Sequence, residues 1–132
     1  MPTQANVDEI AEYLRSFKDG SRKHNQTEWH SNCGTAHCLA GWKVVDDYHQ
    51  NNGQIDDWKE EFYTIGDEEF SFSMSSKLSN SPPSNPDRYC RKVWGLTFDE
   101  SESLFESYLT LEDMMANLCK IAKDHDLIEP KF

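Results

Sequence analysis

Long apolar runs are missing from this chain. No stretch of about eighteen consecutive apolar residues occurs in it, and a membrane-spanning helix needs that length. Residues 7–17 are rich in apolar side chains, but charged residues interrupt them and no basic region precedes them, unlike a secretory signal. We therefore expect a protein that binds no membrane and is located in the cytoplasm.

Basic residues are also scarce. The 132 residues include 13 Lys and Arg against 24 Asp and Glu, which gives a formal net charge of -11 at pH 7. Such a surface repels a phosphate backbone and attracts a protein with a basic surface. We expect no direct binding to nucleic acid, and we expect the partner to be a protein, still unidentified, with a basic surface.

Established catalytic and cofactor motifs are absent as well. The sequence has no Walker A loop, no dinucleotide-binding glycine fingerprint and no His-Glu-x-x-His zinc motif. The aspartate pairs at 46–47 and 56–57 lack the spacing of an EF-hand loop. From these absences we expect no cofactor and no enzymatic activity.

Cysteine is present, but sparsely. A chain of this length can bury a core without cross-links, and four cysteines without a secretory signal favour free thiols in a reducing compartment. They are Cys33, Cys38, Cys90 and Cys119. We expect residues 1–132 to form a single helical domain.

Apolar residues at helical spacing, together with capping residues, predict a mainly α fold, a compact bundle of about five helices. The expected caps or first residues of these helices are Asn6, Thr35, Pro86, Thr97 and Thr110. An acidic and serine-rich insertion lies at about residues 50–85, and aromatic residues in the 62–75 region predict one short β-hairpin turning at 66–67.

The most unusual segment is residues 33–42, Cys-Gly-Thr-Ala-His-Cys-Leu-Ala-Gly-Trp, because it places two thiols and an imidazole around an expected helix start. A helix N-terminus lowers the pKa of a thiol, so Cys38 beside His37 is a candidate nucleophile. Cysteine is also among the most buried residue types, and a small thiol beside Leu39 suits a crowded helix contact. We favour packing for Cys38, and we leave open the role of the motif residues Cys33, Thr35, His37 and Cys38.

Four side chains in and before this motif are of types that bind zinc: His30, Cys33, His37 and Cys38. Neighbouring residues point about 100° apart on a helix, so such a site would need Cys90 or His49 from elsewhere in the chain. A disulfide between Cys33 and Cys38 is a further alternative, which the expected reducing compartment disfavours.

The pattern Cys-Gly-Thr-x-x-Cys-x-Ala-Gly-Trp resembles a signature of small bacterial and phage proteins. Residues 94–97 and the pair Leu104-Phe105 match two segments that often follow it, although Trp94 stands where an aliphatic residue is usual. The similarity covers about half of the chain. It implies a compact helical fold and a bacterial or phage setting, in the cytoplasm of a bacterium or an infected host cell, and it implies no activity.

Aromatic side chains are interleaved with acidic ones in residues 56–62, a mixture that suits the interface with a basic partner, although the same aromatics could instead cover the core. The candidate partner-binding residues are Asp56, Asp57, Trp58, Glu60, Glu61 and Phe62. We predict a non-enzymatic accessory or interaction protein. In a narrower version of this prediction it is an inhibitor, whose acidic surface mimics nucleic acid and blocks a DNA- or RNA-binding enzyme. The alternative is a small metal-binding or cysteine-dependent protein centred on residues 33–38.

Overall fold

A computed structural model describes residues 1–24, 36–52, 62–65, 68–71, 86–106 and 109–132. The predicted mainly α fold with about five helices is confirmed, and none of the helices in these ranges is long and apolar enough to cross a membrane. The elements in chain order are α1 (Gln4–Asp19), β1 (Lys23–His24), β2 (Ala36–His37), α2 (Leu39–Asn52), β3 (Phe62–Ile65), β4 (Glu68–Ser71), α3 (Pro86–Trp94), α4 (Phe98–Phe105) and α5 (Leu111–Asp124).

Helix α1 begins earlier than the sequence suggested. Thr3 is its N-cap, since the Thr3 hydroxyl accepts a hydrogen bond from the backbone N–H of Asn6 at 3.1 Å. The Asn6 side chain accepts in return from the backbone N–H of Thr3 at 2.9 Å, which completes a capping box. The prediction that Asn6 starts the helix was therefore wrong, because its amide closes the cap from inside. The helix ends as predicted before Gly20, whose φ is 83°.

Helix α2 begins later than predicted. Residues 36 and 37 form strand β2, which pairs in parallel with β1 in the register Lys23 to Ala36 and His24 to His37. Cys38 follows the strand, and its carbonyl accepts the first helical hydrogen bond from Trp42 at 2.9 Å. Strand pairing thus occupies the backbone where the first turn was expected, and Cys38 precedes the helix. The predicted cap, Thr35, lies outside the described residues.

The last three helices begin where the sequence predicts. Pro86 is the first residue of α3, and Gly95 ends that helix with a φ of 67°. Thr97 and Thr110 cap α4 and α5, each in a capping box with the acidic residue three positions later.

The predicted β-hairpin is present. Strands β3 and β4 are antiparallel, with Phe62 opposite Ser71 and Ile65 opposite Glu68. The hairpin packs against α2 and α3. The expected turn residues 66 and 67 lie outside the described part of the chain.

One hydrophobic core joins the five helices. It includes Trp94, which is fully buried and whose ring centroid lies 6.2 Å from that of Tyr13 and 6.2 Å from that of Phe105. The other fully buried large side chains are Val7, Ile10, Leu14, Leu39, Val44, Leu104, Met114 and Leu118. The prediction of a single domain with an insertion at 50–85 stays a prediction.

Candidate functional site

Most of the residues that the sequence singled out lie outside the described ranges. Of the motif residues, Cys33 and Thr35 are not described, His37 is placed by its backbone in β2, and Cys38 is described in full. Of the predicted partner surface, Phe62 begins β3, while residues 56–61 fall outside the described part. The roles of the motif residues and of the partner-binding residues therefore stay predictions, and the structure describes the surroundings of Cys38 alone among them.

Cys38 lies in the interior at the start of α2. Cys38 is 3% exposed, and its sulfur accepts a hydrogen bond from the backbone N–H of Gly41 at 3.4 Å, as the side chain of an N-cap residue does. Burial raises the pKa of the thiol to about 12, and the charge of Asp87 adds to the increase. A thiol of this kind is protonated at neutral pH and is a poor nucleophile.

A second buried thiol lies close to the same helix start. Cys90 on α3 is fully buried and donates a hydrogen bond from its thiol to the carbonyl of Ala40 at 3.4 Å. Burial also raises the pKa of Cys90, again with a contribution from Asp87. Cys38, Cys90 and the partly buried Cys119 are free thiols. The contacts of the first two are those of packing residues.

The part of the chain that the structure describes contains no candidate metal site. There, no group of three or more His, Cys, Asp or Glu side chains lies close enough to hold an ion. His30 and Cys33, which the zinc alternative requires, are outside these ranges.

Among the described residues, the candidate site is a charged cleft of about 570 Å³, here called the α1–α2 cleft. The residues that line it are Glu9, Glu12, Tyr13, Arg22, Lys43, Asp46, Asp47, His49 and Gln50. Sequence reasoning missed it. The signal was nevertheless present, since positions 9, 12 and 13 share one face of a helix and positions 43, 46, 47 and 50 share one face of the next.

Lys43 joins three helices at the inner end of the cleft. Its side chain is 8% exposed, and its ammonium lies 2.6 Å from Glu9 Oε1 on α1 and 3.0 Å from Asp47 Oδ1 on α2. Helix α3 adds two donors, because Trp94 Nε1 donates to Glu9 Oε1 at 2.7 Å and the Tyr89 hydroxyl donates to Asp47 Oδ2 at 2.6 Å. Burial disfavours the charged form of Lys43, but these carboxylates outweigh it and the pKa is raised.

Asp46 organises the outer end of the cleft. Its Oδ2 accepts a hydrogen bond from the hydroxyl of Tyr13 at 2.7 Å and lies 3.3 Å from a guanidinium nitrogen of Arg22. Burial, followed by the charge of Asp46, raises the pKa of Tyr13 far above its ordinary value, so the hydroxyl stays a donor. Arg22 also lies over two rings, 4.7 Å from the centroid of Tyr13 and 5.7 Å from that of Trp42.

The arrangement is suited to hold positive charge. Four carboxylates line the cleft, and two cationic side chains, Arg22 and Lys43, line it with them. Three of the carboxylates, those of Glu9, Asp46 and Asp47, hold both of these cations, so the cleft already binds an ammonium and a guanidinium of its own chain. The fourth carboxylate, that of Glu12, lies 2.7 Å from a guanidinium nitrogen of Arg15. One negative charge remains in excess, because the four carboxylates are paired with three cations once Arg15 is counted.

Comparison with known proteins identifies no relative, since no family model, no curated protein and no solved structure matches this chain. Function is therefore inferred from the cleft and from the sequence.

Proposed function

We propose that the protein is a non-enzymatic accessory protein that binds a protein partner with a basic surface through acidic and aromatic residues. The observation that carries this proposal is the α1–α2 cleft, in which the lining carboxylates outnumber the lining cationic side chains by four to two. The ratio is four to three when Arg15, the partner of Glu12, is included. A cleft of one dominant charge attracts ligands of the opposite charge and favours their association.

The predicted partner residues extend the same charge along the sequence. Helix α2 supplies Asp46 and Asp47 to the cleft and ends at Asn52, and the acidic residues at 56, 57, 60 and 61 follow before strand β3 begins at Phe62. The carboxylates that α2 supplies to the cleft and those of residues 56–61 therefore belong to one continuous region of the sequence. Such a region favours partners rich in Arg and Lys.

The setting of this function is proposed from the resemblance of residues 33–42 to the small bacterial and phage proteins. On that basis we place the protein in the cytoplasm of a bacterium or of an infected cell. The metal-binding or cysteine-dependent alternative gains no support from Cys38, whose thiol is buried and has a raised pKa.

The test compares three double variants that change the net charge by the same amount. One neutralises the cleft (Glu12→Gln with Asp46→Asn), and one neutralises the following segment (Asp56→Asn with Asp57→Asn). The matched control neutralises two exposed acids of α5, Glu112→Gln with Asp124→Asn. Binding of a fluorescently labelled hexa-arginine peptide is measured by anisotropy at low and high salt, because the attraction is screened by salt.

We expect the cleft and segment variants each to lose about twofold to thirtyfold in affinity, since each removes two charges and an exposed charge pair contributes about 0.2–1 kcal/mol. The control variant should bind as the wild type does. Equal losses in all three variants would show that net charge alone attracts the peptide, and unchanged affinity in the first two would also contradict the proposal.

A further inference from the structure

Arg22 is one of the residues that line the α1–α2 cleft, and it packs against two aromatic rings there. Its guanidinium carbon lies 4.7 Å from the ring centroid of Tyr13 and 5.7 Å from that of Trp42, and its terminal nitrogen is 3.3 Å from Asp46 Oδ2. Two aromatic faces and one carboxylate are the groups that bind a guanidinium best, through cation–π attraction and a charge-assisted hydrogen bond. We call Tyr13, Trp42 and Asp46 the aromatic cage.

The walls of the cage are held in place independently of Arg22. The hydroxyl of Tyr13 donates to Asp46 Oδ2 at 2.7 Å, and the indole nitrogen of Trp42 donates to the carbonyl of Lys23 at 2.8 Å. Tyr13 is also buried against Trp94 in the core. Removal of the Arg22 side chain would therefore leave the two rings and the carboxylate oriented as they are.

We propose that the aromatic cage is a recognition site for an arginine side chain of the basic partner, and that Arg22 is its intramolecular occupant. The inference rests on the proposed function and deepens it, because it names the side chain that is recognised and the place where it binds. A partner arginine enters the cage by displacing Arg22, and the neighbouring cleft holds the positive charges that flank it.

Two features make Arg22 replaceable. Its side chain is 34% exposed, and its contact with Asp46 is a single one at 3.3 Å, longer than the 2.7–2.9 Å typical of a charge-assisted pair. Within the described residues, the second oxygen of Asp46 accepts no hydrogen bond, so an incoming guanidinium can use both oxygens in a bidentate pair.

The test is to empty the cage and offer it a free guanidinium. Arg22→Ala protein, checked for its fold by far-UV circular dichroism, is titrated with N-acetyl-arginine amide while the indole N–H signals are followed by NMR. Trp42→Phe identifies the signal of Trp42. Lys120→Ala removes the same charge from an exposed position on α5 and is the matched control. Arg22→Gln, which keeps part of the side-chain stem, replaces the alanine variant if that variant fails to fold.

We expect the emptied cage to bind the probe saturably, with a shift of the Trp42 signal. Its affinity should exceed that of the wild type or of Lys120→Ala, because a tethered group competes at an effective concentration on the order of millimolar. The expected ratio of the affinities is one plus this concentration divided by the dissociation constant of the probe for the emptied cage. Asp46→Asn in the Arg22→Ala background should abolish binding, and N-acetyl-lysine amide should bind more weakly because an ammonium cannot stack.

Three results would overturn the proposal: no saturable shift at Trp42, equal affinities in the wild type and Arg22→Ala, or equal binding of the arginine and lysine probes. The hexa-arginine experiment separates this failure from that of the proposed function. Suppose that the emptied cage does not bind N-acetyl-arginine amide, while the Asp56→Asn, Asp57→Asn variant binds hexa-arginine more weakly than the wild type. The basic-partner proposal then stands, without an arginine site in the aromatic cage.

Discussion

Replacement of Lys43 by methionine should destabilise the fold strongly. The Lys43 ammonium lies between the carboxylates of Glu9 and Asp47, and the variant would leave both without this cation. Glu9 Oε1 lies 2.6 Å from it and Asp47 Oδ1 lies 3.0 Å from it. Methionine keeps most of the buried stem of the side chain. It removes the charge that links α1 and α2 beside α3.

The magnitude follows from the surroundings of the two carboxylates. Removing one partner of a buried ion pair costs about 3–5 kcal/mol, because a charge is left without compensation. Here the cost is reduced, since the Glu9 side chain is 44% exposed and keeps the indole donor of Trp94, while Asp47 keeps the hydroxyl of Tyr89. We expect the Lys43→Met protein to lose about 2–4 kcal/mol of its free energy of unfolding.

Urea unfolding followed by circular dichroism measures this loss as a fall of roughly 1–2 M in the midpoint. Lys43 has a raised pKa, so its contribution is fully present below the ordinary value of 10.5 and is lost only as the pH rises through the folded-state value. The difference between wild type and variant should therefore be constant across neutral pH and shrink above pH 10.5. Lys120→Met, at an exposed position of α5, should stay within about 0.5 kcal/mol of the wild type. A similarly small change in Lys43→Met would refute the reasoning.

Three further predictions follow from single contacts. In Gly95→Ala the new Cβ would lie 2.6 Å from the Met1 carbonyl oxygen at a φ of 67°, so we expect a loss of about 2–3 kcal/mol in urea unfolding. Gly20→Ala, whose Cβ meets nothing within 4 Å at a φ of 83°, should lose only about 1 kcal/mol, and equal losses would contradict the role of the Met1 contact. Burial opposes the charged form of Glu100, but hydrogen bonds from Thr97 and His125 lower its pKa, so its stabilisation is present above the ordinary value of 4.5 and is lost as the pH falls through the folded-state value. Glu100→Gln should therefore flatten the acid limb of a stability–pH profile, and an unaltered limb would argue against it. Native protein treated with iodoacetamide should be modified at Cys119 before Cys38 and Cys90, as peptide mass mapping can show, whereas early labelling of either buried thiol would contradict the packing assignment.

Local signals predicted the starts of the last three helices well, because each of these helices carries its own start signal. Thr97 and Thr110 are followed three residues later by acidic side chains, and Gly95 supplies the left-handed residue after α3. The start of α1 was wrong because Thr3 and Asn6 are both competent caps, and only the reciprocal hydrogen bonds between them decide which one is used. The start of α2 was wrong because β1, a distant segment, pairs with the residues that would otherwise form its first turn.

The α1–α2 cleft lay beyond sequence reasoning for a different physical reason. Helical spacing shows that residues 43, 46 and 47 share a face, but it does not show which face of α1 lies opposite them. That pairing depends on Trp94 of α3, whose ring fills the core while its indole nitrogen fixes Glu9 beside Lys43. The formal net charge of -11 therefore does not show where negative charge concentrates. Its position becomes clear only in the folded chain, where packing brings the carboxylates of two helices together around Lys43 and Arg22. Because the cations inside the cleft belong to the chain itself, the basic partner that we propose would have to compete with them, and its affinity would then depend on the replacement of Arg22 as well as on charge.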